Sequence, residues 1–187
     1  MILGIDISTS ITGFAVVGDE QLLHYSSIDL RKHKGIFKKA TILKEYLEDL
    51  FENYQCDNDT GWGTSKFPIE QIYIEQPLYM FMRGKSSAKT LSTLMTFNGV
   101  VSWIIYELFE IEPQYIAATS ARKRCGIKVK RGEKAKEIVL KHLLEHETAF
   151  HVEYTTYGNP TAESYDRADA IVVAKAGDII EKSLELD

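Results

Sequence analysis

The sequence predicts a mixed α/β fold: one five-stranded sheet, an antiparallel three-strand meander extended by parallel strands, with helices on both faces. Three observations lead there. The first thirty residues hold three short apolar runs separated only by turns, too close together for an intervening helix. From residue 36 onward, stripes of apolar residues at helical spacing alternate with short β-rich runs. Strands joined through helices run parallel, and the helices must then cover both sheet faces.

The elements follow in order. Met1 to Ile7, Gly13 to Val17 and Leu22 to Ile28 read as the meander. Ile36, Ala40, Leu43, Leu47 and Leu50 form one stripe of a helix and read as core. The stretch DNDTGWGTSKFP is rich in turn formers and reads as an exposed loop. Gln71 to Glu75 is a strand ending before Pro77, and Ala88 to Phe109 a long, mostly apolar helix. Gln114 to Ala118 reads as a strand and Gly132 to His146 as a helix. The last helix spans about Glu163 to Leu184, with Thr161 or Ser164 as its cap.

Composition narrows the function classes. At 187 residues, 44% hydrophobic and 26% charged, the chain fits one domain over 1–187 with a sizeable core. Its longest apolar run, VVSWII, falls far short of the ~20 residues of a membrane span, and the start lacks a signal peptide's features, so the expectation is a soluble protein with no membrane partner. Cys56 and Cys125 have no disulfide, metal or redox spacing, which points to a reducing cytoplasm. The net charge of -5 argues against nucleic acid until its distribution is considered. Between Thr119 and Lys141 nine basic side chains face two acids, whereas from His142 to Asp187 ten acids face three basic residues. The local patch governs recognition, although a basic run is also often just a solvated face.

Four acids stand where acids are costly. Asp6 interrupts the run Ile2, Leu3, Ile5, Ile7 of a strand buried on both faces, and Glu75 ends the apolar strand Ile72, Tyr73, Ile74. Asp166 and Asp169 are three apart on the last helix, Asp166 in register with Ala170, Val173, Gly177 and Ile180 and Asp169 with Val173, Ala176 and Ile180, and therefore face the sheet. Taken singly, Asp6 reads as a turn cap, Glu75 as a surface acid, and the aspartates as partners of the helix dipole. Together, four carboxylates converging on one corner repel each other by about 4 kcal/mol per pair at ~4 Å and call for a cation. A donor set of hard oxygens without histidine or cysteine suits Mg²⁺ or Mn²⁺ and argues against zinc.

The stretches LGIDISTSITGFAVV, IYIEQP and DRADAIVVA resemble the three acidic motifs of the RuvC-type Holliday junction resolvases, members of the ribonuclease H-like superfamily. PLYMFMRGKSSAKTLSTLMTFNGVV is similar to the family's substrate-probing loop and long helix, and TSARKRCGIKVKRGEKAKEIV to its basic segment. The resemblance covers nearly the whole chain. It departs in having Ile7-Ser8 where the family has Pro-Gly, in a longer loop from Glu52 to Pro68, and in its acidic tail, marks of a divergent member from a bacterial or phage-infected cell.

What the resemblance implies is a ribonuclease H-like nuclease whose Asp6, Glu75, Asp166 and Asp169 hold two Mg²⁺ ions, for which Mn²⁺ substitutes. One ion would activate a water and the other would stabilise the leaving 3′ oxygen of four-way junction DNA. Lys134 or Lys136 would steady the scissile phosphate, with nothing in the sequence to choose between them. Arg122, Lys123, Arg124, Lys128, Lys130 and Arg131 would position the DNA backbone. Tyr79 and Phe81, flanked by Arg83 and Lys85, would wedge between unstacked bases, the plainer alternative being core packing.

A two-fold symmetric junction also implies a homodimer. The helix from Ala88 to Phe109 suits that role, because Leu91, Leu94, Met95, Val101, Trp103, Ile104, Ile105 and Leu108 occupy more than one stripe. Three alternatives are weaker. The opening strand and turn also look like the phosphate loop of actin-like and sugar-kinase ATPases, but a second glycine-rich loop is missing. His142-Leu-Leu-Glu-His146 matches a zinc-protease pattern without its context. The third is a junction-binding module, which the full acid set argues against, or a related nuclease for structured RNA or other branched DNA.

Overall fold

In the first thirty residues, short apolar runs are interrupted by turns before a helix can nucleate. The computed structural model, which describes residues 1–54, 68–77 and 88–185, accordingly opens with strands β1 (Ile2–Asp6), β2 (Ile11–Gly18) and β3 (Gln21–Asp29). Helix α1 (Ile36–Tyr54), strand β4 (Gln71–Glu75) and helix α2 (Ala88–Phe109) follow. Strand β5 (Gln114–Ile116) and helices α3 (Ala118–Arg124), α4 (Ala135–His146) and α5 (Ala162–Leu184) complete the order. The sheet runs β3-β2-β1-β4-β5, antiparallel across β3, β2 and β1 and parallel from β1 through β4 to β5.

Strand alternation divides the core in two. Leu3, Ile5, Ile72 and Ile74 face one side and pack with Leu43 and Leu47 of α1 and Val101 and Ile105 of α2. Ile2 and Tyr73 face the other, against Val139 and Leu143 of α4 and the Ala170–Ala174 stretch of α5. By the same alternation Gly4 and Asp6 share the α5 side.

Helix α5 lies unusually close to the sheet. A Cβ on Gly4 would stand 2.3 Å from the Ala174 backbone nitrogen, and one on Gly13 would stand 2.2 Å from the Asp166 carbonyl oxygen. Only glycine allows this approach. The helix start is fixed by Thr161, whose side chain accepts a hydrogen bond from the Ser164 backbone, and by Arg31, which pairs with both Asp29 and Glu163. Arg167 adds a cross-tie, donating to Ser27 Oγ at 2.9 Å and Glu153 Oε1 at 2.7 Å.

The expected five-stranded mixed sheet with helices on both faces is the observed one, with two local differences. Strand β5 stops at Ile116, and after Ala117 the seven residues Ala118–Arg124 form α3, a helix with no side-chain cap and only Ala121 buried. Helix α4 starts at Ala135 and not at Gly132, because Gly132 has φ 91° and Lys134 is extended. Among the described residues no helix is long and apolar enough to cross a membrane.

Candidate active site

The parallel pairing of β1 with β4 sets Ile5 beside Ile74, so Asp6 and Glu75 leave the carboxyl ends of neighbouring strands on one face. The first turns of α5 lie against that face and bring Asp166 and Asp169 to it. One carboxylate oxygen from each of Asp6, Asp166 and Asp169 lies within 4.8 Å of the other two. Among the described residues this is the one group of three metal-ligating side chains so close together. Glu75 stands outside that tight group but lines the same cleft of about 240 Å³.

Burial and mutual repulsion act together on these acids. Asp6 is raised well above the usual carboxylate range, first by burial and then by Glu75, Asp169 and Asp166. Glu75 is pushed up to about 7, mainly by burial and then by Asp169, against the pull of Arg122 and Lys136. Asp169 is raised by burial, with Lys136 opposing. Lys136 donates to Asp166 Oδ1 at 2.6 Å and lies 3.4 Å from Asp169 Oδ2. Its ammonium is held above the ordinary lysine range, because these carboxylates outweigh the opposing effect of burial.

Such raised carboxyls have a measurable consequence. The folded state binds the protons of Asp6 and Glu75 more tightly than the unfolded state, so their contribution to stability is full below pH ~4 and is lost as pH rises toward 7. In EDTA, the melting temperature should therefore fall between pH 5 and pH 8, and Glu75→Gln should flatten that fall. A divalent cation held by the same oxygens would compete with these protons and would raise the melting temperature more at pH 8 than at pH 5. Scanning calorimetry checks this, and an unchanged pH slope in the Gln variant would contradict it.

The turn after Asp6 is built without Pro-Gly. Thr12, fully buried, donates from Oγ1 to the Ser8 carbonyl at 2.9 Å and accepts from the Ser8 amide at 3.3 Å. Lys39 of α1 donates to the Thr9 carbonyl from the opposite layer. The HxxEH pattern gathers no comparable site: the His142 and His146 rings stack at 4.2 Å, and Glu145 reaches toward Lys141.

No protein-family model matches the chain, and no curated protein sequence is significantly similar to it. Solved structures are. RuvC of T. thermophilus in complex with a Holliday junction substrate superposes with a TM-score of 0.62 at 13% identity, over 97% of this chain and 94% of that one. The Thermus thermophilus RuvC structure gives a TM-score of 0.58 at 14% identity, over 97% and 95%. The yeast mitochondrial Holliday junction resolvase Ydc2 gives 0.57 at 13% identity, over 98% and 80%.

This chain has the RuvC fold.

Within that fold the basic residues separate into two kinds. Arg122, half-buried on α3, and Lys136, in the first turn of α4, both project positive field onto the acids. Lys123, Arg124, Lys128, Lys130 and Arg131 are exposed and stand apart from the cleft, as does Lys134, which pairs with Glu137 at 2.7 Å. Of Lys134 and Lys136, only Lys136 contacts the acids, at Asp166 and Asp169. Tyr79, Phe81, Arg83 and Lys85 lie outside the described residues, as does most of the loop from Glu52 to Pro68. Arg167 was not singled out in the sequence. Its reach to Ser27 and Glu153 depends on tertiary packing that no local pattern displays.

Proposed function

We propose that this chain is a divalent-cation-dependent endonuclease that resolves four-way DNA junctions by paired, symmetric nicks. The observation that carries this reading is the convergence of Asp6, Asp166 and Asp169 within 4.8 Å, with Glu75 in the same cleft, in a RuvC fold. An all-carboxylate donor set fits Mg²⁺ or Mn²⁺, and the acids' raised proton affinity marks the unmet negative charge that such ions would balance. Asp6, Glu75, Asp166 and Asp169 would hold two such ions. When bound there, the ions supply Lewis-acid activation of water and neutralisation of charge on the cleaved phosphodiester.

The chain's own residues do the rest. Glycine-mediated contact between α5 and the sheet, with the Arg167 and Arg31 ties, holds the carboxylates in place before substrate arrives. Lys136 and Arg122 flank the cleft and face an incoming phosphate. Lys123, Arg124, Lys128, Lys130 and Arg131 extend that positive surface along the DNA backbone, a salt-dependent contact without sequence information. Tyr79 and Phe81 are assigned the wedge on the sequence resemblance alone, with Arg83 and Lys85 beside them. A labelled four-way DNA junction, a linear duplex of the same arms and a structured RNA, each incubated with Mg²⁺, test the substrate class. Preferential cutting of the junction is expected, and preference for RNA would move the chain to another branch of the superfamily.

The working unit is assigned as a homodimer through α2. That helix buries Phe97, Val101, Ile105 and Phe109 within the chain but exposes Met95, Tyr106 and Trp103, the last at 63%. Trp103 and Tyr106 touch at 5.9 Å between centroids, and Tyr115 of β5 extends the patch. An aromatic surface of this kind suits a second copy of the same face. Light scattering at micromolar concentration should give about twice the 21.3 kDa of the chain. Trp103→Glu should halve that mass without lowering the chain's own helix content. A wild-type monomer that still makes paired nicks would contradict the assignment.

A further inference from the structure

One cation already lies on the oxygens that a divalent ion would use. Lys136 Nζ is 2.6 Å from Asp166 Oδ1 and 3.4 Å from Asp169 Oδ2, and both oxygen-bearing side chains are largely shielded, with exposures of 14% and 13%. The lysine itself is different: 53% of its side chain remains exposed. An ammonium on a flexible four-carbon stem can leave such a position for water or for another anion at little cost. We propose that Lys136 is a displaceable counter-ion of the metal site. It competes with the divalent cation for Asp166 and Asp169, sets the cation affinity of the free protein, and is released to the substrate phosphate when the cation binds.

This role of Lys136 rests on the acids being cation ligands, as proposed above. A single ammonium cannot neutralise the three clustered aspartates and Glu75, so the site retains an excess of negative charge with Lys136 in place. A divalent ion supplies more charge to the same oxygens, but two cations sharing Asp166 and Asp169 repel each other, so binding one weakens the other. By linkage, removing the lysine must strengthen binding of the metal. Lys134 provides the contrast. It lies two residues earlier, is exposed, and pairs with Glu137 at 2.7 Å and not with the aspartates.

The test is Mn²⁺ binding to the full-length protein without DNA, read from the electron paramagnetic resonance signal of free Mn²⁺, so no turnover is involved. Lys136→Met should bind Mn²⁺ about tenfold more tightly than wild type, whereas Lys134→Met should bind it unchanged. Lys136→Arg, which keeps the charge, should stay near the wild-type affinity. Lys136→Gln provides a second neutral variant should the Met protein fail to fold, with circular dichroism confirming the fold. Equal or weaker Mn²⁺ binding by the folded neutral variant overturns the proposal. Asp6→Asn separates the two levels of the argument: if it retains wild-type Mn²⁺ affinity, the metal-site reading itself fails, whereas loss of binding in Asp6→Asn with no gain in the Lys136 variants rejects only the counter-ion.

Discussion

Asp6→Asn is expected to lower divalent-cation-dependent cleavage of a four-way junction by at least about a thousandfold, roughly 4 kcal/mol on the barrier, while junction binding persists. Asp6 stands at the centre of the site, on β1, with Asp166 and Asp169 close in front and Glu75 on the adjacent strand. Asparagine keeps the shape and removes the charge. A neutral amide is a poor ligand for a hard cation compared with a carboxylate, so a cation held as proposed would lose one of its carboxylate donors. The fold should not suffer. Burial and the three neighbouring acids make ionised Asp6 unfavourable in the free protein, so the neutral side chain should leave the melting temperature in EDTA equal or higher. Binding should survive because, on the proposed function, the exposed basic residues and not Asp6 would contact the DNA backbone. Single-turnover cleavage and a gel-shift titration on the same protein measure both, and cleavage within tenfold of wild type would contradict the role of Asp6.

The second large effect comes from a methyl group. Gly13→Ala would place a Cβ 2.2 Å from the carbonyl oxygen of Asp166 and 2.7 Å from its carbonyl carbon. These are backbone atoms of a long helix that is tied to the sheet by Arg167 and capped at Thr161, so no side chain can swing aside to make room. Helix α5 must shift, and overpacking of this kind costs about 3 kcal/mol or more. Because the obstructed residue is itself an acid of the site, the same shift moves Asp166 away from Asp6. Two losses are therefore expected together, in urea unfolding and in cleavage of the junction at temperatures where the protein remains folded. A variant with wild-type stability would show that α5 does not rest on β2 as described.

Much of this was legible in the sequence, for definite reasons. The meander announced itself because its strands are apolar and its connections are too short for anything but turns. The acids of β1, β4 and α5 stood out because each interrupts an apolar register, and the spacing of Asp166 and Asp169 placed them on one helical face. Other features carried no such mark. Helix α3 buries only Ala121 and has no capping side chain, so no periodicity revealed it. Lys134 and Lys136 look alike in a basic run, and only the packing of α4 against α5 turns one toward the acids and the other toward Glu137. The close approach at Gly4 and Gly13 depends on helix and sheet residues more than 150 positions apart, which local pattern cannot display.

Symmetric cutting of junction DNA by these acids is the property on which the proposed function stands. A four-way junction of fixed crossover, labelled in turn on each of its four strands and incubated with the protein and Mg²⁺, tests it most directly. Two nicks are expected at symmetry-related positions on the two strands of like polarity, leaving 5′ phosphates and 3′ hydroxyls. Both nicks should disappear in EDTA. Nicks scattered over all four strands, or equal cutting of a linear duplex made from the same arms, would contradict it.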